Sequence, residues 1–147
     1  GLGFGPMMVG GAYYGLSGDI NSVAVICASV VFALVNNLLL LNQFPGLQAD
    51  VQVGRDNWAI ASTTTAAKLY TALAMSVYAI IALGWLADTL PSAALIGLLT
   101  APLSLKVCYQ VLTHPDPMPL SALSGNVIVT LATPVLLALG LILARLF

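Results

Sequence analysis

Residues 22–42 read Ser22-Val23-Ala24-Val25-Ile26-Cys27-Ala28-Ser29-Val30-Val31-Phe32-Ala33-Leu34-Val35-Asn36-Asn37-Leu38-Leu39-Leu40-Leu41-Asn42, without one charged side chain. A helix needs about 20 mainly apolar residues to cross roughly 30 Å of hydrocarbon. Barrel strands cross in fewer but alternate polar with apolar residues, and this stretch is apolar on every face. It predicts a transmembrane helix, and the rest of the chain repeats the pattern. The charges fall at Asp19, Asp50, Arg55, Asp56, Lys68, Asp88, Lys106, Asp116 and Arg145, leaving 20–49, 69–87, 89–105 and 117–144 uncharged.

Composition leads to the same class. Of 147 residues 60% are hydrophobic and 6% charged, and mean hydropathy is +1.02. Soluble domains hold about 45–50% apolar and about 25% charged residues. So little charge cannot solvate a globule, and disorder requires the opposite balance. Four basic residues spread along the chain cannot neutralise a nucleic-acid backbone, so nucleic acid is excluded as a partner. An integral membrane protein remains, with membrane lipids as its first partners.

The expected spans are 22–42, 67–87, 92–112 and 121–144, separated by turn chemistry at Leu16-Ser17-Gly18-Asp19, Asp88-Thr89-Leu90-Pro91 and His114-Pro115-Asp116-Pro117-Met118-Pro119. Pro102 and Pro134 fall inside spans and predict kinks. The segment Gly1–Gly15 would reach only about 22 Å as a helix. Because it is short and the chain does not begin with Met, this helix is expected to have lost its beginning. The fold class is therefore all-α, a polytopic transmembrane bundle of about five helices forming a single domain over 1–147. Arg55, Lys68 and Lys106 lie toward the loop 43–66 and Arg145 lies opposite. That imbalance predicts a cytoplasmic loop.

Polar groups inside spans are costly and need a reason. Asn36 and Asn37 fit either interhelical hydrogen bonding or a site near Asn42 and Gln43. Lys106 shares a helix face with Tyr109 three residues on, and fits either snorkelling or a lipid or quinone contact. Lys68 and Tyr70 open the third helix and Asn126 the last. Tyr13, Tyr14 and Trp85 read as interfacial aromatics. His114 has no second metal ligand at useful spacing, and Cys27 and Cys108 form no zinc or disulfide pattern. The Gly-rich opening Gly1-x-Gly3-x-Gly5 follows no strand and reads as close helix packing rather than a phosphate loop. In the long loop, Asp50 and Arg55 beside a cluster of amides could hold a metal-bridged anion, since Mg²⁺ takes carboxylates plus phosphates and Arg matches phosphate oxygens. A solvated loop carrying the chain's few charges is the other reading.

That loop, Asn42 to Trp58, resembles the second aspartate-rich motif of the UbiA-type membrane prenyltransferases, particularly the dihydroxynaphthoate (menaquinone) branch. Asn42, Asp50, Gly54 and Arg55 match the motif by position, Arg55 standing for a Lys. Gly5-Pro6-Met7-Met8-Val9-Gly10-Gly11-Ala12-Tyr13-Tyr14 is similar to the helix before the motif, and Asn126 to Leu143 to the last helix. The resemblance covers nearly the whole chain, as helices five to nine of a nine-helix fold. It implies Mg²⁺ and a prenyl diphosphate bound between two such motifs, with Asp50 the metal-binding remnant, and a bacterial inner or photosynthetic membrane. The departures count against catalysis. Gly46 replaces the first Asp, Asn57-Trp58 replaces Thr-Leu, and the half bearing the other motif is absent. The resemblance thus implies a truncated, inactive relative without a cofactor of its own. It would serve as an accessory subunit of a photosynthetic or respiratory complex and hold a quinone or lipid near Asn36, Asn37, Lys68, Tyr70, Lys106, Tyr109 and Asn126.

The alternative is a Mg²⁺-dependent aromatic prenyltransferase whose first half lies on another chain. It predicts transfer from a prenyl diphosphate, abolished by Asp50→Asn. The accessory reading predicts no turnover even with a complete first half supplied, and a radiolabelled prenyl-transfer assay separates the two.

Overall fold

The computed structural model describes residues 1–45, 54, 62–115 and 118–146. Among these the protein is all helical. A π-helix, Gly3–Gly10, runs into α1, Gly11–Ser17. After it come α2, Ser22–Leu41, and α3, Thr63–Leu86. A 3₁₀-helix, Ser92–Thr100, continues directly into α4, Ala101–Thr113, and α5 is Leu120–Leu146. Among the described residues four helical segments are long and apolar enough to cross a membrane: Ser22–Leu41, Thr63–Leu86, Ser92–Thr113 and Leu120–Leu146.

Each predicted span is present, and the differences have local causes. α3 begins at Thr63 rather than 67 because Ser62 caps it, its Oγ accepting the Thr65 N–H at 3.3 Å. The threonine run had disguised a helical turn as a loop. The kink expected at Pro102 takes the form of a change in helix type. Pro102 has no N–H, so the Leu98 carbonyl accepts instead from Ala101, the 3₁₀ pattern. Pro102 then occupies the first turn of α4, where no intrahelical donor is needed. The 3₁₀ rise of about 2.0 Å per residue and the α rise of about 1.5 Å together carry this span across roughly 37 Å. Pro134, by contrast, sits within an uninterrupted α5.

Short turns make successive helices antiparallel. Gly18, at φ 75°, ends α1 with its N–H on the Tyr14 carbonyl at 2.8 Å, a backbone conformation natural to glycine. Asn21 caps α2 by accepting the Ala24 N–H at 2.9 Å, while its amide donates to the Tyr13 hydroxyl at 2.6 Å. Between α3 and the 3₁₀-helix, Thr89 and Leu90 both donate to the Gly84 carbonyl, at 3.0 and 2.9 Å. Leu90 is thereby folded back into the core.

α2, α3, the 3₁₀/α4 span and α5 pack in sequence, and α5 closes the bundle against α2, with the first helix docked on α2. Small residues allow the closest approaches. A Cβ on Gly5 would overlap the Ala28 carbonyl, and one on Gly140 would overlap the Ala93 and Ala94 backbone. In the Gly-rich opening, Gly1 and Gly5 thus serve helix packing as the sequence suggested, whereas Gly3, Gly10 and Gly11 have nothing within 4 Å of a Cβ.

The core divides in two. Near the long loop lie Leu41, Phe44, Ala66, Tyr70, Val107 and Val111. Near the short turns lie Val30, Val77, Ile81, Ala94, Val129 and Leu137. The outer surface is apolar, with Leu99 71% and Leu131 66% exposed, as suits contact with lipid tails.

Gly140→Ala is expected to lower stability by about 1–3 kcal/mol, the usual cost of overpacking, because the obstacle is backbone. Gly15→Ala, in a helix position with nothing within 4 Å of its Cβ, should leave stability unchanged or raise it slightly. Thermal unfolding in detergent compares the two.

Candidate functional site: a buried polar belt and a lateral groove

Between the two apolar clusters, and within the one near the short turns, the described residues bury polar side chains. Asn37, Ser104 and Asn126 are each 2% exposed, Thr133 is fully buried, and Thr100 and Thr130 are nearly so. Asn126, Thr130 and Thr133 follow i, i+4, i+7 spacing, so α5 turns one polar stripe inward. Burying such groups costs free energy unless they are hydrogen-bonded, and two interhelical networks meet part of that cost.

In the first, the Tyr70 hydroxyl donates to Asn126 Oδ1 at 2.9 Å, joining α3 to α5. The second joins Tyr78, Thr100 and Thr133. Thr133 Oγ1 donates to the Val129 carbonyl at 2.7 Å and lies 2.7 Å from Thr100 Oγ1, which is 3.2 Å from the Tyr78 hydroxyl. Each hydroxyl carries one proton. Thr100 Oγ1 also lies 3.2 Å from the Gly97 carbonyl, so its proton goes either there or to Thr133. In the second arrangement Tyr78 donates to Thr100, Thr100 to Thr133, and Thr133 to the backbone.

Several buried polar atoms remain without a protein partner: Asn37 Oδ1, Asn126 Nδ2, Thr130 Oγ1, Gln43 Oε1 and Gln110 Oε1. They include both donors and acceptors, the equipment for a carbonyl or hydroxyl group. The belt comprises amides and hydroxyls with Cys108 beside them. Lys68, Lys106, Asp19, Asp88, His114 and Arg145 are all exposed.

The residues singled out in the sequence therefore separate into groups. Tyr70 and Asn126 come together, and Asn37 is buried in the same belt. Asn36 is half-buried and donates to the Phe32 carbonyl of its own helix at 2.8 Å. Lys106 and Tyr109 share a face as expected, but it is the outer one, Tyr109 being 67% exposed. Lys68 is also outside. Asn42 is the exposed C-cap of α2, and Gly54 is exposed with φ 70°. Asp50 and Arg55, the centre of the motif remnant, lie outside the described residues, as does any metal site built on them. Among the described residues no three His, Cys, Asp or Glu side chains gather as metal ligands. Thr100, Ser104 and the Tyr78–Thr133 link were missed in the sequence. The Asn126-Thr130-Thr133 spacing was the signal that could have found the α5 part of it.

A second feature lies toward the short turns. A lateral groove of about 760 Å³ runs between the first helix, α2 and α5, apolar in its walls and bordered by Tyr13, Asn21 and Arg145. That volume falls in the range of sites for small molecules and cofactors, about 300–1,000 Å³.

Compared with family models, with curated proteins and with solved structures, the chain matches none.

Tyr70→Phe is expected to destabilise the bundle by about 0.6–1.7 kcal/mol, the range for interhelical hydrogen bonds in membranes. Combined with Asn126→Leu, it should cost less than the sum of the single changes, since the second removes the orphaned acceptor. A double-mutant cycle of unfolding in bicelles measures that coupling.

Proposed function

We propose that this chain is a non-catalytic, UbiA-like subunit of a larger membrane complex, contributing packed helices and holding a quinone or lipid between them. The observation that carries the reading is the outward position of Lys106. On α4 the exposed residues Pro102, Leu105, Lys106, Tyr109, Leu112 and Thr113 form one continuous helical stripe. Lys106 lies seven residues before the end of α4, about 10 Å inside the span.

A lysine facing hydrocarbon costs about 2.5–3.5 kcal/mol by insertion scales. Among the described residues Lys106 is exposed, turned away from the bundle interior. A neighbouring helix bearing a carboxylate or amide would relieve the lysine's charge and bury Tyr109 at the same contact, a residue type enriched at interface cores. The buried belt supports the same reading, since Tyr70 and Asn126 spend their hydrogen bond on joining helices. In this proposal the loop side faces the cytoplasm, with Lys68 and Lys106 toward it and Arg145 opposite, in a bacterial inner or photosynthetic membrane rich in quinone.

Lys106→Leu separates a partner contact from a lysine that merely snorkels. If a partner helix pairs with it, the substitution should stabilise the isolated chain in detergent yet weaken its complex roughly tenfold or more. Blue-native electrophoresis of gently solubilised membranes reads the second effect. Migration as a monomer, unchanged by the substitution, would count against the proposal.

A further inference from the structure

The lateral groove lies at the opposite end of α2 from its C-cap Asn42, and its shape and charge specify an occupant more closely than quinone or lipid in general. We infer that it holds one acyl chain of an anionic phospholipid, with the phosphate of the headgroup at Arg145. The inference deepens the ligand-holding part of the proposed function and rests on it.

The first argument is length. On α2 the lining runs from Asn21 to Val31, about 15 Å along the axis. Half of a roughly 30 Å hydrocarbon core is also about 15 Å, so the groove extends from the interface to the midplane, the depth of one leaflet's tails. Its floor on α2 is Ala24, Cys27 and Val31, and its α5 wall includes Pro134 and Ala138. Small side chains on both helices leave room for a chain between them.

The second argument is charge. Arg145 is a groove residue, and among the described residues no carboxylate lines the groove. Asp19 and Asp88 lie at the same end of the bundle, but Asp19 already accepts the Ile20 N–H at 2.7 Å, and neither borders the cavity. Arg145 has no ion-pair partner among the described residues. Its planar guanidinium matches phosphate oxygens with two parallel hydrogen bonds. The amino end of α2 opens on the same mouth with Asn21 as its cap, its dipole opposed by the carboxyl end of α5, so the positive charge of the site is that of the Arg145 guanidinium. A neutral quinone would leave that cation unanswered, and a free phosphate would leave the apolar walls unused.

The test is native mass spectrometry of the full chain. The delipidated protein is exchanged into equimolar phosphatidylglycerol and phosphatidylcholine with identical acyl chains. The wild type should retain phosphatidylglycerol in preference, roughly fivefold. Arg145→Gln should abolish the preference while retaining phospholipid. Ala138→Phe, at an exposed groove position, should lower retention of both lipids. Equal retention of the two lipids by the wild type, or unaltered retention by Ala138→Phe, would overturn the inference. So would a purified chain carrying quinone and no phospholipid. The subunit role is read separately from complex migration, so either can fail without the other.

Discussion

The hydrocarbon core of a bilayer supplies no hydrogen bonds, and every backbone polar group inside it must find its partner within the protein. This constraint explains why every regular element among the described residues is a helix, and it also explains the irregularities. Each proline within a helical segment removes a donor, and each is accommodated differently. Pro6 lies in a π-helix, where the Met7 N–H reaches back to the Leu2 carbonyl at 3.2 Å. Pro102 lies where a 3₁₀-helix gives way to an α-helix. Pro134 lies in an unbroken helix beside a threonine whose hydroxyl already bonds the backbone.

The same constraint organises the interior. Two apolar clusters fill the ends of the bundle, and the polar belt pins the helices between them. In membranes apolar burial scarcely discriminates one helix arrangement from another, because lipid tails are as apolar as leucine. Hydrogen bonds such as Tyr70–Asn126 and close contacts such as Gly140 on the 3₁₀-helix set which helices are neighbours. The apolar clusters then follow from that choice.

Much of this was legible in the sequence, because absent charge marks a span without reference to any other part of the chain. The spans 22–42, 92–112 and 121–144 were readable for that reason. The start at Thr63 was not, because three threonines in a row have poor helical propensity and only the Ser62 cap reveals the turn. The belt was half legible. Asn37, Tyr70 and Asn126 stood out as polar groups needing a partner, but the Tyr70–Asn126 bond spans 56 residues of sequence, and only packing brings them together. Lys106 and Tyr109 were correctly placed on one face, while periodicity could not say whether that face turned in or out. The groove left no trace in the sequence, since its walls are residues that any transmembrane helix would carry.

The stretch Ser92–Thr100 has a mechanical meaning as well. A 3₁₀-helix advances about 120° per residue and an α-helix about 100°. Ala94, Gly97 and Thr100, all buried, therefore stand in one straight file along α5. If this segment rewound into α geometry about a fixed Thr100, Ala94 would swing about 120° around the axis, out of the file that receives Gly140. The bundle is thus assembled around a helix wound more tightly than the ordinary one. Its grip on α5 is a matter of winding as much as of side-chain shape.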